Sequence, residues 1–226
     1  ISYYDCFKES IKCHHNDFTN YFLSNHLQDY KDNQFNYRTT IEALKYHNFA
    51  FINSFYISQS SFYYLFYYDY SFFVHLLFDS LYIDVNHVIK DFSDEKVFYM
   101  PALHIAINEE NIDIVKLLLT RNEIDINMKD NDQTAFYLAL EKNNNEIIKL
   151  LLENDDLNIN EINMIEREEK TYYYRKNTIR EEKTAFFKAV EEENIELIKL
   201  LLNNKKLDVN ILNKDGKGSK QTALYK

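Results

Sequence analysis

The stretches PALHIAINEENIDIVKLLLTRNEIDINMKD, from residue 101, and TAFYLALEKNNNEIIKLLLENDDLNIN, from residue 134, say nearly the same thing 33 residues apart. A chain that repeats itself at this interval is restricted to folds in which each copy supplies a wall that its neighbour lacks. Starts of the form Thr or Pro, Ala, then Leu or Phe stand at Pro101, Thr134, Thr184 and Thr222. The triplets Leu117 to Leu119, Leu150 to Leu152 and Leu200 to Leu202 each begin 16 residues after the first three starts. The segments IDIN, LNIN and LDVN follow at a fixed distance and end at Asn127, Asn160 and Asn210. Start spacings of 33, 50 and 38 therefore read as one 33-residue period with insertions of 17 and 5.

Within a unit the apolar residues trace two short helices. In the unit at 134, Ala135, Phe136, Ala139 and Leu140 fall at helical spacing, Asn143 to Asn145 interrupt it, and Ile147, Ile148 and Leu150 to Leu152 resume it. Each helix is shorter than an isolated helix needs to be stable, so its apolar stripe must be buried against neighbours. Stacked copies meet that need. Leu118 and Leu151, the middle residues of their triplets, are expected to pack between adjacent units.

PALHIA at 101–106, IVKLLL at 114–119 and LDVN at 207–210 resemble the ankyrin repeat, with its T-P-L-H-x-A first helix, I-V-K-L-L-L second helix and D-V-N before a β-hairpin. The match is close over 101–210. Upstream it is degenerate but in phase: FFVHLLFDSLYIDVN at 72–86 carries the second-helix and hairpin signatures, and IEALKYHNFAFINSFY and FKESIKCHHNDFTNYFL superpose on FYLALEKNNNEIIKLLL without gaps. The chain looks like a divergent, Asn/Tyr/Phe-rich, protist-type ankyrin array. The resemblance implies an all-α ankyrin-repeat solenoid, spanning 1–226 as one array of six repeats that start near 5, 38, 60, 101, 134 and 184, with a seventh cut off after TALYK from 222. The second unit runs only about 22 residues, so its hairpin is expected to be missing or distorted. Family repeats place Gly between the two helices, where this chain has His14, His47, Asp69, Glu110, Asn143 and Glu193; these enter the left-handed region at a cost, Asn and Asp least. His104 stands at the family's turn-tying histidine, a structural position.

With two Gly and one Pro in 226 residues, turns must rely on Asn and Asp. The net charge of −10 is spread along the chain, which disfavours nucleic acid and anionic membranes. Cys6 and Cys13, seven residues apart on one helix, point to small apolar packing in a reduced, intracellular, cytoplasmic setting. With His14, His15 and His26 they follow no standard metal-ligand spacing. FYYLFYYDYSFFVHLLF at 62–78 contains Asp69 and His75 and reads as aromatic core rather than a membrane span. GKGS at 216–219 is no phosphate loop, because the second Gly that this motif needs upstream is absent.

The segment 161–183, EINMIEREEKTYYYRKNTIREEK, enlarges one hairpin and sets Tyr172, Tyr173 and Tyr174 beside Arg175 and Lys176. Tyr and Arg are the residues that anchor protein interfaces; a passive loop is the plainer expectation, and six acidic residues against six basic ones weigh against RNA. The family resemblance implies that hairpin tips and first helices line a concave face that binds proteins. By repeat phase Asp130, Asn131 and Gln133 lie at a hairpin tip, and Asn108, Glu141 and Glu191 hold one position of three successive first helices. The expectation is a monomeric, non-catalytic module for an unknown protein partner, with no cofactor, metal, nucleic acid or membrane. The alternative is an accessory region of an enzyme or channel whose active domain lies outside these residues.

Overall fold

The computed structural model describes residues 3–25, 42–43, 45–48, 65, 74, 84–86, 88–91, 98–170 and 176–225. The connection after the second repeat, where a missing or distorted hairpin is expected, Asp69, Tyr172, Tyr173 and Tyr174 lie outside these residues, as does the stretch 62–78 except for the buried Leu65 and Val74. The chain divides into two compact units, Ile1–Ile105 and Ala106–Lys226.

In the first unit, α1 (Tyr3–Lys12) and α2 (Asn16–Asn25) form a helix pair. Phe7 and Ile11 are buried, and Ser10 Oγ meets Thr19 Oγ1 at 2.8 Å where the repeats from 101, 134 and 184 place Ala and an aliphatic residue. The buried Asn48 amide donates to Ile11 O and Asn16 Oδ1, both at 2.9 Å, and His14 Nε2 donates to Tyr46 O at 2.9 Å, so consecutive turns are tied to one another. Strands β1 (Val88–Asp91) and β2 (Phe98–Pro101) pair antiparallel.

Helix pairs recur with one grammar: α3 (Ala102–Asn108) with α4 (Ile112–Leu119), α5 (Ala135–Glu141) with α6 (Asn145–Leu152), and α7 (Ala185–Glu191) with α8 (Ile195–Leu202). Between helices the chain reverses on one left-handed residue, with φ of 53° at Glu110, 54° at Asn143 and 54° at Glu193. The N–H of that residue bonds three residues back and the next N–H five back, as in Glu110 N to Ile107 O and Asn111 N to Ala106 O. This double closure satisfies the last carbonyls of the first helix. The following Asn then caps the second helix: the side chains of Asn111, Asn144 and Asn194 accept from the N–H of Ile114, Ile147 and Leu197. His14 and His47 adopt the same positive φ, so non-Gly residues occupy this turn at all five described positions.

Core residues sit where the apolar spacing puts them. Ile114, Val115, Leu118, Ile147, Ile148 and Leu151 are buried, as are Ala135, Phe136, Ala139 and Leu140. Second helix packs on second helix, α4 on α6, and first helix on first helix, α5 on α7.

Among the described residues, the connections at 88–101, 129–134, 163–183 and 213–221 carry strands, which amends the all-α expectation: these helical repeats are linked by β-hairpins. Strands β3 (Lys129–Asp130) and β4 (Gln133–Thr134) close a two-residue hairpin over Asn131 and Asp132, with φ of 45° and 63°. Two positive φ values are what a turn matched to strand twist requires, and Asn and Asp supply them without Gly. Strands β5 (Asn163–Lys170) and β6 (Lys176–Lys183) are eight residues each, and with β7 (Asn213–Lys214) and β8 (Lys220–Gln221) they form a sheet in the order β5-β6-β7-β8. The 17-residue insertion is thus an extension of hairpin register rather than a loop, with Asn163 opposite Lys183 and Lys170 opposite Lys176.

Candidate functional site

The candidate surface is built on the first-helix ends and hairpins that lie in the second unit. Thr134 and Thr184 cap α5 and α7, each hydroxyl accepting from the N–H three residues on at 3.2 Å. A buried Asn then holds each cap from the following hairpin. Asn163 Oδ1 accepts from Thr134 N at 2.7 Å and from its hydroxyl at 3.1 Å, and Asn213 Oδ1 accepts from Thr184 N at 2.6 Å. Both amides also donate to carbonyls two residues back. Buried amides bonded through both their oxygen and their nitrogen fix a register rather than merely adding stability. They set where each hairpin springs from the stack.

A second set of asparagines joins neighbouring repeats. Asn127 donates to Asp156 O and accepts from Asn158 N, both at 2.7 Å; Asn160 donates to Lys206 O at 2.6 Å and accepts from Asp208 N at 2.8 Å. Each amide grips two backbone groups two residues apart, so slipping the stack would break both bonds at once. Lys129 Nζ adds a bond to Ile162 O at 2.9 Å and an ion pair to Glu161 at 2.7 Å.

On this frame Asn108, Glu141 and Glu191 are the last residues of α3, α5 and α7, so the structure keeps them in one repeat position. Asn108 and Glu141 are exposed. Glu191 is drawn elsewhere: it pairs at 2.5 Å with Lys183, whose side chain is only 4 % exposed and which also meets Glu181 at 2.7 Å. A buried ammonium needs such partners to offset its lost hydration. Asp130 and Gln133 face each other in the β3–β4 hairpin and Asn131 leads its turn, with Asn131 Nδ2 donating to Asp130 Oδ1 at 3.2 Å. Tyr172, Tyr173 and Tyr174 belong to the segment between β5 and β6 that lies outside the described residues.

Sequence reasoning missed Lys183. It precedes the capping Thr in its unit, a position held by Met100, Gln133 and Gln221 in the others, so a long side chain there was the available signal. It also missed the role of Gly216. A Cβ built on Gly216 would lie 1.8 Å from Ile179 Cγ2, so this glycine lets the long hairpin pack on the last one, while Gly218, at φ 82°, turns the chain. The GKGS stretch is explained by those two demands. His104 is buried in α3. Cys6 and Cys13 are exposed, free thiols rather than the packed apolar residues expected of them. Among the described residues no group of three or more His, Cys, Asp or Glu could hold a metal ion, and no helix is long and apolar enough to cross a membrane.

Residues 65–163 match the family model for ankyrin repeats in three copies. No curated protein matches the chain.

Proposed function

The chain is an ankyrin-repeat protein, and from that premise we propose that it is a non-catalytic module that binds a protein partner on the side where first helices end and hairpin tips stand, the concave side of such arrays. Ankyrin repeats are in general protein-protein interaction modules. The observation that carries the choice of face is the shared position of Asn108 and Glu141 at first-helix ends, in the same unit as the Asp130 to Gln133 tip. The surface is polar and acidic, so the favoured ligand is a basic or amide-rich protein segment, with association faster at low salt.

Affinity capture from the native cell followed by mass spectrometry supplies the partner for the test. Asp130→Lys combined with Glu141→Lys should weaken its binding while the far-ultraviolet spectrum stays unchanged. Glu191 is left native in this test, because a Lys there would face the buried Lys183 and report on folding instead. Binding that survives the double change, and instead follows substitutions at Lys116, Lys149 and Lys199 on the second helices, would move recognition to the opposite face.

A further inference from the structure

We propose that the outer edge of β5, residues 166–170, takes an extended, Lys- or Arg-bearing segment of the partner protein as an additional β-strand; this rests on the protein-binding reading above and names the form of the ligand. The hairpin arms are eight residues long, whereas the strands of the hairpins on either side are two. The long hairpin therefore overhangs both neighbours. At its base both neighbours already bond to it: Met164 N donates to the turn carbonyl Asp132 O at 3.2 Å on one side, and Glu182 pairs with Lys214 of β7 on the other. Met164 and Glu182 are themselves opposite one another in the hairpin, so both turn their backbone groups outward.

Strand periodicity then fixes the rest. In an antiparallel pair the residues alternate between those bonded to the partner strand and those facing away from it. With Met164 facing away, the N–H and C=O groups of Glu166, Glu168 and Lys170 point out along the β5 edge. Those of Lys176, Thr178 and Arg180 point out along β6. Among the described residues no strand pairs with β5 beyond Met164. An edge of this kind is a template for an extended chain, and five residues at about 3.3 Å each offer about 17 Å of it.

The two edges differ in what flanks them. The β6 edge runs beside the last hairpin, where Ile179 rests on Gly216. The β5 edge instead continues outward from the single backbone bond that Met164 makes to the turn carbonyl of Asp132, and it borders the tip that carries Asp130, Asn131 and Gln133. A segment laid on β5 thus reaches a tip with carboxylates at Asp130 and Asp132, in a unit with 24 acidic and 19 basic residues. That complementarity selects a basic strand.

The probe is an acetylated, amidated heptapeptide alternating Lys and Val, titrated into the full chain with amide exchange read by nuclear magnetic resonance. The expected result is at least tenfold slower exchange at Glu166, Glu168 and Lys170, and no such protection by the same peptide with alternate amides N-methylated. Glu168→Pro removes an outward N–H that the hairpin itself does not use, a position where Pro is tolerated, and it should abolish the protection; Thr178→Pro on the other edge should not. Equal binding of the methylated peptide, protection at Thr178 instead, or no protection at millimolar peptide would each overturn the edge assignment. If the captured partner still responds to the Asp130→Lys and Glu141→Lys pair, the edge assignment alone has failed. If it does not, the protein-binding face has failed as well.

Discussion

At the scale of single residues, this protein spends stability in the turns between its helices. A residue with a Cβ at φ near 55° costs roughly 1–2 kcal/mol relative to a right-handed conformation, less for Asn, and Glu110 and Glu193 occupy that region where Gly would be free. Glycine gives back part of the gain, about 0.5–1 kcal/mol, because it loosens the unfolded chain. Glu110→Gly and Glu193→Gly are therefore expected to raise stability by about 0.5–1 kcal/mol each, with Asn143→Gly near zero. Urea midpoints of the three variants check the order, and an equal gain at Asn143 would show that the strain argument is wrong. Gly216 makes the opposite case. Ile179 is β-branched and stiff, so it cannot move away from an added methyl at 1.8 Å. Gly216→Ala should cost about 1–3 kcal/mol by overpacking, and Ile179→Ala in the same chain should restore most of it, a coupling that a double-mutant cycle measures directly.

The elements show which parts of the pattern could be read in advance and which could not. Helices were legible because their evidence is local: Ile147, Ile148 and Leu151 repeat at the spacing that burial on one side demands, and the structure buries all three. The left-handed turns were legible for the same reason, since a position that wants Gly stays identifiable when Glu or His stands there. The long hairpin was not. Its strands read NMIEREEK and KNTIREEK, charged on both faces beyond the base, and give no apolar alternation to mark a strand. Asn127, Asn160 and Asn163 recurred visibly, yet their bonding partners lie 29 to 48 residues away, and nothing in a single unit reveals them. The candidate rows were legible as repeat phase, while the diversion of Glu191 to Lys183 depended on a contact between hairpin and helix. From this anatomy, replacing 168–178 by Asn-Gly keeps Arg167 opposite Ile179 and should change stability by less than about 0.5 kcal/mol, as surface connections are cheap to shorten. Asn163→Ala, which orphans the Thr134 cap, should cost about 1–3 kcal/mol. Thermal melts separate the two; a collapse of folding in the excised chain would place the outer hairpin in the core.

For the second unit as a whole, stability resides in the contact of each repeat with the next, through the second-helix packing and the asparagine bridges together. Repeat arrays behave as a sum of unit and neighbour terms, so damage at one interface weakens the units on both sides of it. Leu151 is the sharpest probe of that interface. It lies in α6, which packs on α4, and has no exposed surface, whereas Lys149 two residues earlier in the same helix is exposed. Leu151→Ala removes buried methyl groups and leaves a cavity that flanking helices can fill only by moving, and should cost about 2–5 kcal/mol. Lys149→Ala should stay within about 0.5 kcal/mol. Urea denaturation followed by circular dichroism distinguishes them. Equal midpoints for Leu151→Ala and the native chain would mean that the triplet does not face the stack, and the register from which every surface row was assigned would have to be redrawn.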